Sequence, residues 1–348
     1  MLVAIFWLLV GFVLLIKGGD WFVDGATGIA RRFHLPEVLI GATVVSIGTT
    51  LPEVMVSAGG ALKNSGSIAY GNAIGSIICN TALIAALTIA IKPSVVARKS
   101  LVLPVAFFFG ASAVYSVAAY VFGGFSRLIG ILLLLIFAVY MVSTVMKMKN
   151  TAVSVDTVMA EEVGNSSVKE SDLEKQSGED HVVESAKEGT KDNIFKDIIM
   201  LIIGAALIAV GADLLVDNAI LIAQKCGISE KVIGLTIVAL GTSLPELVTA
   251  ITSLIKGHGS LSVGNIIGAN LFNLVLVSGV AVTINPFELP VSGYIKGINS
   301  SLVLDMPVML AVMAIMTLPA LFKQKLARWQ GILLLCIYAA FLVLQFAM

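Results

Sequence analysis

Along most of the chain, apolar residues run in stretches near the length of helix that crosses a bilayer, about 17 to 25 residues. They lie at 2–24, 37–62, 67–91, 101–121, 127–146, 194–222, 232–255, 261–284, 300–321 and 329–347. This pattern predicts ten transmembrane helices, five in each half, and so an all-α integral membrane protein. The polar residues that interrupt the runs form a pattern of their own. The hexapeptide GTTLPE at Gly48–Glu53 recurs as GTSLPE at Gly241–Glu246, and each copy is followed by GN..G....N ending at Asn80 or Asn273. The offset is 241 − 48 = 193 residues, and residues 41–80 laid on 234–273 without a gap agree at 16 positions by direct count. The chain is therefore an internal duplication. What it duplicates is a carboxylate, hydroxyls and amides, the groups that hydrocarbon tolerates least and that mark functional sites when they sit inside a membrane.

Composition supports the membrane assignment and removes other classes. The 348 residues are 58% hydrophobic and 13% charged, about half the charge density of an ordinary soluble domain. Net charge is zero, which gives no electrostatic footprint for nucleic acid. Met1–Ile16 lacks a basic leader and a small-residue cleavage site, so the first span is expected to be retained. Cys79, Cys226 and Cys336 are an odd, scattered set that suits helix packing better than a disulfide framework or a thiolate metal site. His34, His181 and His258 fall in expected loops, which gives no support to an imidazole-based transition-metal site.

Loop charge sets orientation. Eleven Lys and Arg residues, from Arg31 and Arg32 through Lys256 to Arg328, lie on one set of loops, and five (Lys63, Arg127, Lys225, Lys231 and Lys296) lie on the other. The positive-inside bias puts both termini outside. Five spans per half is an odd number, so the second copy must enter the membrane upside down. The expectation is two inverted-topology five-helix repeats, residues 1–149 and 192–348, with a site near the midplane where they meet. Between them, 150–191 carries ten acidic residues and no aromatic one, the composition of a disordered linker, here cytoplasmic. It contains no D-x-D-x-D-G calcium loop.

The repeated hexapeptide has a definite chemistry. Pro52 has no N–H and its ring crowds the carbonyl four residues back, so the helix is expected to break there and free carbonyls near Gly48 and Thr49. Irregular backbone at this depth must be buried in protein or line a cavity. Glu53 follows at once, flanked by the hydroxyls of Thr49 and Thr50, and Thr242, Ser243, Pro245 and Glu246 repeat the arrangement. Calcium takes 6 to 8 oxygens, as a rule. Bidentate Glu53 and Glu246 with the carbonyls of Thr49 and Thr242 would supply six, by a ligand count of about four plus two. Sodium accepts hydroxyls and carbonyls, such as those of Thr50, Ser243 and Ser76. One pocket can thus hold Ca2+ or Na+ but not both sets, and competition for shared ligands is a physical basis for exchange. Ser76 and Asn80 lie four residues apart, on one helix face, and Asn80 and Asn273 end the two copies. Glycines four apart, Gly71 and Gly75 or Gly264 and Gly268, allow close helix approach.

Other acids read differently. Asp20 and Asp24 match Asp213 and Asp217 at the same offset, near span ends, where snorkelling, capping or gating accounts for them more simply than ligation. Asp305 has no counterpart in the first half.

At these residues the chain resembles the calcium/cation antiporter superfamily, whose two repeats carry G-T-S-[LV]-P-[ED] and G-N-x-x-G-S-x-x-x-[ND], and most of all its bacterial and archaeal sodium/calcium exchanger-like branch. The likeness covers both halves and omits the linker. It implies ten transmembrane helices in two inverted repeats, with the second and third helices of each repeat around the ions and the first sliding against that core. It implies Ca2+ carboxylates at Glu53 and Glu246, helped by the carbonyls of Thr49 and Thr242. Na+ groups are implied at Thr50, Ser243 and Ser76 and at the carbonyls of Ser46 and Ala239, with Asn80 and Asn273 lining the centre. Ala269 departs from the pattern, standing where Ser is usual, one hydroxyl fewer for Na+; Asn273 fits it, but stands where potassium-dependent members carry Asp.

The expected function is Na+/Ca2+ antiport by alternating access, with no enzymatic activity and no cofactor, the ions and the bilayer being the only partners expected. A Ca2+/H+ antiporter is the near alternative, since the same glutamates can release Ca2+ on protonation. Against it, the G-N-A-x-E signature of that branch is missing. Oxygen ligands alone do not separate Ca2+ from Mn2+ or another divalent cation. A channel needs a continuous pore, and an intramembrane aspartyl protease needs two facing Asp residues; neither class accounts for an inverted duplication of the Glu motif.

Overall fold

The computed structural model describes residues 2–33, 35–165, 194–225, 241–291 and 293–347. We label its main helices α1 (Leu2–Arg32), α2 (Glu37–Leu62), α3 (Gly66–Ile91), α4 (Arg98–Phe122), α5 (Arg127–Asn165), α6 (Ile194–Lys225), α7 (Leu244–Ile255), α8 (Gly259–Ile284), α9 (Ser301–Lys323) and α10 (Arg328–Ala347). Among the described residues, nine helices are long and apolar enough to cross a membrane. Their bounds follow the apolar runs closely. The run at 232–255 is described only from Gly241, and within that part lies the shorter α7. Helix α5 continues to Asn165, into the stretch read as linker, and 166–193 lies outside the described residues.

Small residues dictate how α1 and α6 meet. A Cβ on Gly11 would stand 2.8 Å from Gly211 O, and one on Gly18 would stand 2.9 Å from Gly204 O. As the number rises along α1 it falls along α6, so the two helices cross antiparallel with backbones in contact, an approach that only glycine permits. The pairing is reciprocal under the 193-residue offset: Gly11 corresponds to Gly204 and Gly18 to Gly211. Leu15, Phe22, Val23, Ala26, Ile208 and Ala212 form an apolar cluster at this crossing, separate from the larger core built by α3, α4, α5, α8 and α9. The opposite face of α1, with Leu2, Phe6, Leu9 and Phe12, is exposed, as a lipid-facing surface must be.

Helices α2 and α8 run parallel. A Cβ on Gly264 would meet Val38 Cα at 2.8 Å, and one on Gly268 would meet Ala42 Cα at 2.6 Å. Glu37 and His258, at their leading ends, pair at 2.7 Å. Lys256 and His258 therefore lie at the Glu37 end of α2. The Asn64–Ser65 turn lies at its other end, about 39 Å away for 26 residues at a helical rise of roughly 1.5 Å. Short strands then join the halves reciprocally: Ser94–Val95, after α3, pairs with Lys325–Leu326, before α10, and Gly124–Phe125, before α5, pairs with Phe287–Glu288, after α8.

Among the described residues, four π-helical turns interrupt the spans, at Gly41–Val45, Asn80–Ala85, Asn273–Val277 and Ser301–Asp305. Such turns shift the hydrogen-bond ladder and are frequent at functional sites. At the first, side chains take up the displaced carbonyls. The Ser46 hydroxyl donates to Gly41 O at 2.7 Å, and the Tyr140 hydroxyl from α5 donates to Ala42 O at 2.9 Å.

Candidate cation-binding site

The Pro motif behaves differently in its two copies. In the first, helix continues from Ser46 to Leu62 with Pro52 inside it, and the irregular backbone lies upstream, in the π turn that ends at Val45. The expected break at Pro52 is thus displaced: the missing N–H still releases Gly48 O, but the helix bridges the loss. In the second copy the break is present. Thr242 and Ser243 form a turn, and α7 starts at Leu244 with Pro245 in its first turn, where the missing N–H costs nothing.

Around these turns the motif residues are buried. Glu53, Glu246, Thr50, Asn80, Asn273 and Ser46 are fully inaccessible, with Thr49, Ser243 and Ser76 nearly so. Helix α2, which carries Glu53, packs on the π turn that Asn273 opens, and α7, which carries Glu246, packs on the π turn that Asn80 opens. Each carboxylate helix thus meets the amide turn of the other half. The two carboxylates are near enough to repel one another. Thr242 is half-buried, and Ala239 lies outside the described residues.

The polar atoms divide into a held set and a set without protein partners. Asn72 Nδ2 donates to Glu53 O at 3.0 Å and to Ser57 Oγ at 2.9 Å, fixing the backbone beneath the carboxylate. Its repeat counterpart Asn265 accepts from Thr49 Oγ1 at 3.2 Å and, through its backbone carbonyl, from Ser46 Oγ at 2.9 Å. By contrast, both carboxylate oxygens of Glu53 and of Glu246, the hydroxyls of Thr50 and Ser243, and the side-chain amides of Asn80 and Asn273 are buried without any hydrogen-bond partner. Buried polar groups in native proteins are almost always paired, and unpaired carboxylates are the costliest exception. Two anionic carboxylates with surrounding hydroxyl and amide oxygens are the donor set of a hard cation. No cluster of three or more His, Cys, Asp or Glu side chains suited to a metal occurs among the described residues.

A cavity of about 950 Å3 runs from the α2–α3 turn at Asn64 and Ser65 down to Ser76, Cys79 and Thr242. Gly71 and Gly75 face open space, whereas their counterparts Gly264 and Gly268 are packed against α2. In the sequence these glycines are equivalent packing positions, and the positioning roles of Asn72 and Asn265 become visible only in the structure. The recurrence of the Gly-Asn pair at the 193-residue offset was the available signal.

Comparisons with known proteins agree with this geometry. Residues 3–146 and 196–347 match the family described as sodium/calcium exchanger protein. An uncharacterized membrane protein of Methanocaldococcus jannaschii is 37% identical over 148 residues, 42% of this chain and 47% of that protein, so this alignment spans about half of that relative's length. The sodium/calcium exchanger MaX1 of Methanosarcina acetivorans is 30% identical over 361 residues, 97% of each chain. Among solved structures, the sodium-calcium exchanger NCX_Mj soaked with 2.5 mM Na+ and 10 mM Sr2+ superposes with a TM-score of 0.75 at 31% identity over 97% of each chain. With its paired motifs and its buried, partnerless carboxylates, this multi-pass membrane protein belongs to the sodium/calcium exchanger family, in the prokaryotic branch of the calcium/cation antiporter superfamily.

Proposed function

We propose that the protein exchanges Na+ for Ca2+ by alternating access at one midplane site shared by two inverted five-helix repeats. The observation that carries this reading is the set of buried oxygens of Glu53 and Glu246, with the hydroxyls of Thr50 and Ser243, that find no hydrogen-bond partner in the protein. In this reading Glu53 and Glu246 bind Ca2+ together with the carbonyls of Thr49 and Thr242. Thr50, Ser243, Ser76 and the carbonyls of Ser46 and Ala239 bind Na+, and Asn80 and Asn273 line the centre. Either the divalent ion or the Na+ set neutralises the carboxylates, and the loaded site can then cross; a bare pair of buried charges holds the conformers apart. The reciprocal antiparallel crossing of α1 and α6 supports the inverted relation of the halves, with both termini outside a prokaryotic inner membrane and 150–191 as a cytoplasmic linker.

One observation favours Ca2+/H+ exchange as the second reading: Ala269 lacks the hydroxyl that Ser76 offers in the first copy. Proteoliposomes loaded with Na+ and diluted into Na+-free buffer with 45Ca2+ separate the two. Uptake that follows the Na+ gradient and ignores a pH gradient is the expected result. Uptake driven by the pH gradient alone, with no response to Na+, would overturn it.

A further inference from the structure

We infer that Asp305 is a cation-recruiting group on the path to the site, one that holds a hydrated Ca2+ or Na+ before it reaches Glu53 and Glu246. This inference rests on the exchange reading above. Asp305 closes a π turn, Ser301–Asp305. Three others among the described residues adjoin or open at Ser46, Asn80 and Asn273, all residues of the central site. Only 6% of Asp305 is exposed, yet it lines the same cavity that reaches Ser76 and Thr242. A membrane-buried carboxylate without a counter-charge is costly and points to function. Among the described residues no Lys, Arg or His forms an ion pair with it. Gln345 Nε2 donates to Asp305 Oδ1 at 2.6 Å and fixes the carboxylate in place. Across the cavity wall on α3, the Tyr70 hydroxyl is buried and has no hydrogen-bond partner, so a second oxygen is available to a hydrated ion there.

A fixed negative charge in a low-dielectric vestibule raises the local cation concentration by a factor that grows exponentially with the ion's valence. The factor for Ca2+ is then the square of that for Na+. Asp305→Asn, assayed in oriented vesicles, should raise the half-saturating Ca2+ concentration about tenfold and that for Na+ about threefold. Both changes should be seen only when the ion is offered at the face of the α2–α3 turn, and Asp305→Glu should restore both. Gln345→Leu removes the hydrogen bond but keeps the charge, and should leave the Ca2+ value within about twofold. Equal effects of Asp305→Asn and Gln345→Leu would make Asp305 a hydrogen-bond staple and overturn the inference. So would equal effects on the two ions, equal effects at the two faces, or no effect. Wild-type vesicles that exchange no Ca2+ under any gradient would overturn the exchange reading and this inference with it, a failure visible before any variant is made.

Discussion

Lys256 Nζ stands 2.7 Å from Asp24 Oδ1 and 3.4 Å from Asp20 Oδ1, tying the end of α7 to α1. Under the 193-residue offset Lys256 corresponds to Lys63, and Asp20 and Asp24 to Asp213 and Asp217. Those three counterparts are exposed, and no ion pair joins them among the described residues. The clasp is closed at the Glu37 end of α2, while the cavity opens at the other end. Lys256→Ala should therefore shift the population away from the conformer described here. Half-saturating Ca2+ should rise at the α2–α3 face and fall at the opposite face, each by no more than about fivefold, since partly exposed ion pairs contribute about 0.2–1 kcal/mol. High salt should shrink the difference in the wild type. Movement in the same direction at both faces would mean that the clasp is merely structural.

Glu53→Gln and Glu246→Gln keep the shape of the side chain and remove its charge. Each should reduce 45Ca2+ exchange by at least about a hundredfold, because an amide offers one oxygen and no charge where Ca2+ needs both. Neither should lower thermal stability measured in Ca2+-free buffer, since the substitution removes one of two mutually repelling buried charges. The Ca2+-dependent rise in melting temperature seen for a ligand that binds only the native state should vanish in both. A variant that keeps near-normal exchange would remove its glutamate from the site.

The membrane spans and the candidate site residues are legible because the bilayer imposes a length on apolar runs and because the duplication prints each motif position twice. Helices α2, α3 and α8 begin and end within a few residues of the runs that predicted them. What could not be read were features that depend on the other half of the chain. Gly75 and Gly268 are identical in the sequence pattern, yet one faces a cavity and the other is packed on Ala42. The π turns also left no local mark: Gly41–Val45 has the composition of ordinary apolar helix, and the Ser46 and Tyr140 hydroxyls that support it are ordinary in isolation. Pro52 and Pro245 show the same limit. One chemistry, the missing N–H, yields a continuous helix in one copy and a turn in the other, because neighbours decide how the freed carbonyl is used.

Ala269 is fully buried on α8, at the position that matches Ser76 on α3. Ala269→Ser adds one hydroxyl next to Asn270 and one turn from Asn273. If the number of hydroxyl oxygens limits Na+ binding, the variant should drive Ca2+ exchange at about threefold lower Na+, a modest gain of the kind one hydrogen-bonding group supplies. Titrating exchange rate against Na+ reads this directly. An unchanged Na+ response would show that position 269 does not contribute to the counter-ion site.

The pair Gly75 and Gly268 tests the difference in packing between α3, which lines the cavity, and α8, which is pressed on α2. A methyl group on Gly268 would have to stand 2.6 Å from Ala42 Cα, and backbone cannot step aside as a side chain can, so Gly268→Ala forces α8 away from α2. Overpacking of this kind costs about 1–3 kcal/mol, which should appear as a clear drop in melting temperature. It should also loosen the contact by which Asn265 holds Ser46 and Thr49. At Gly75 the same methyl meets nothing within 4 Å, and replacing glycine with alanine in a helix interior is worth about 0.5–1 kcal/mol in its favour. Gly75→Ala should thus melt at the wild-type temperature or slightly above it. Two residues that occupy one position of a repeat would then respond with opposite signs. Equal destabilisation of the two variants would show instead that α3 is packed as tightly as α8, and that the cavity at the α2–α3 turn is closed in the dominant conformer.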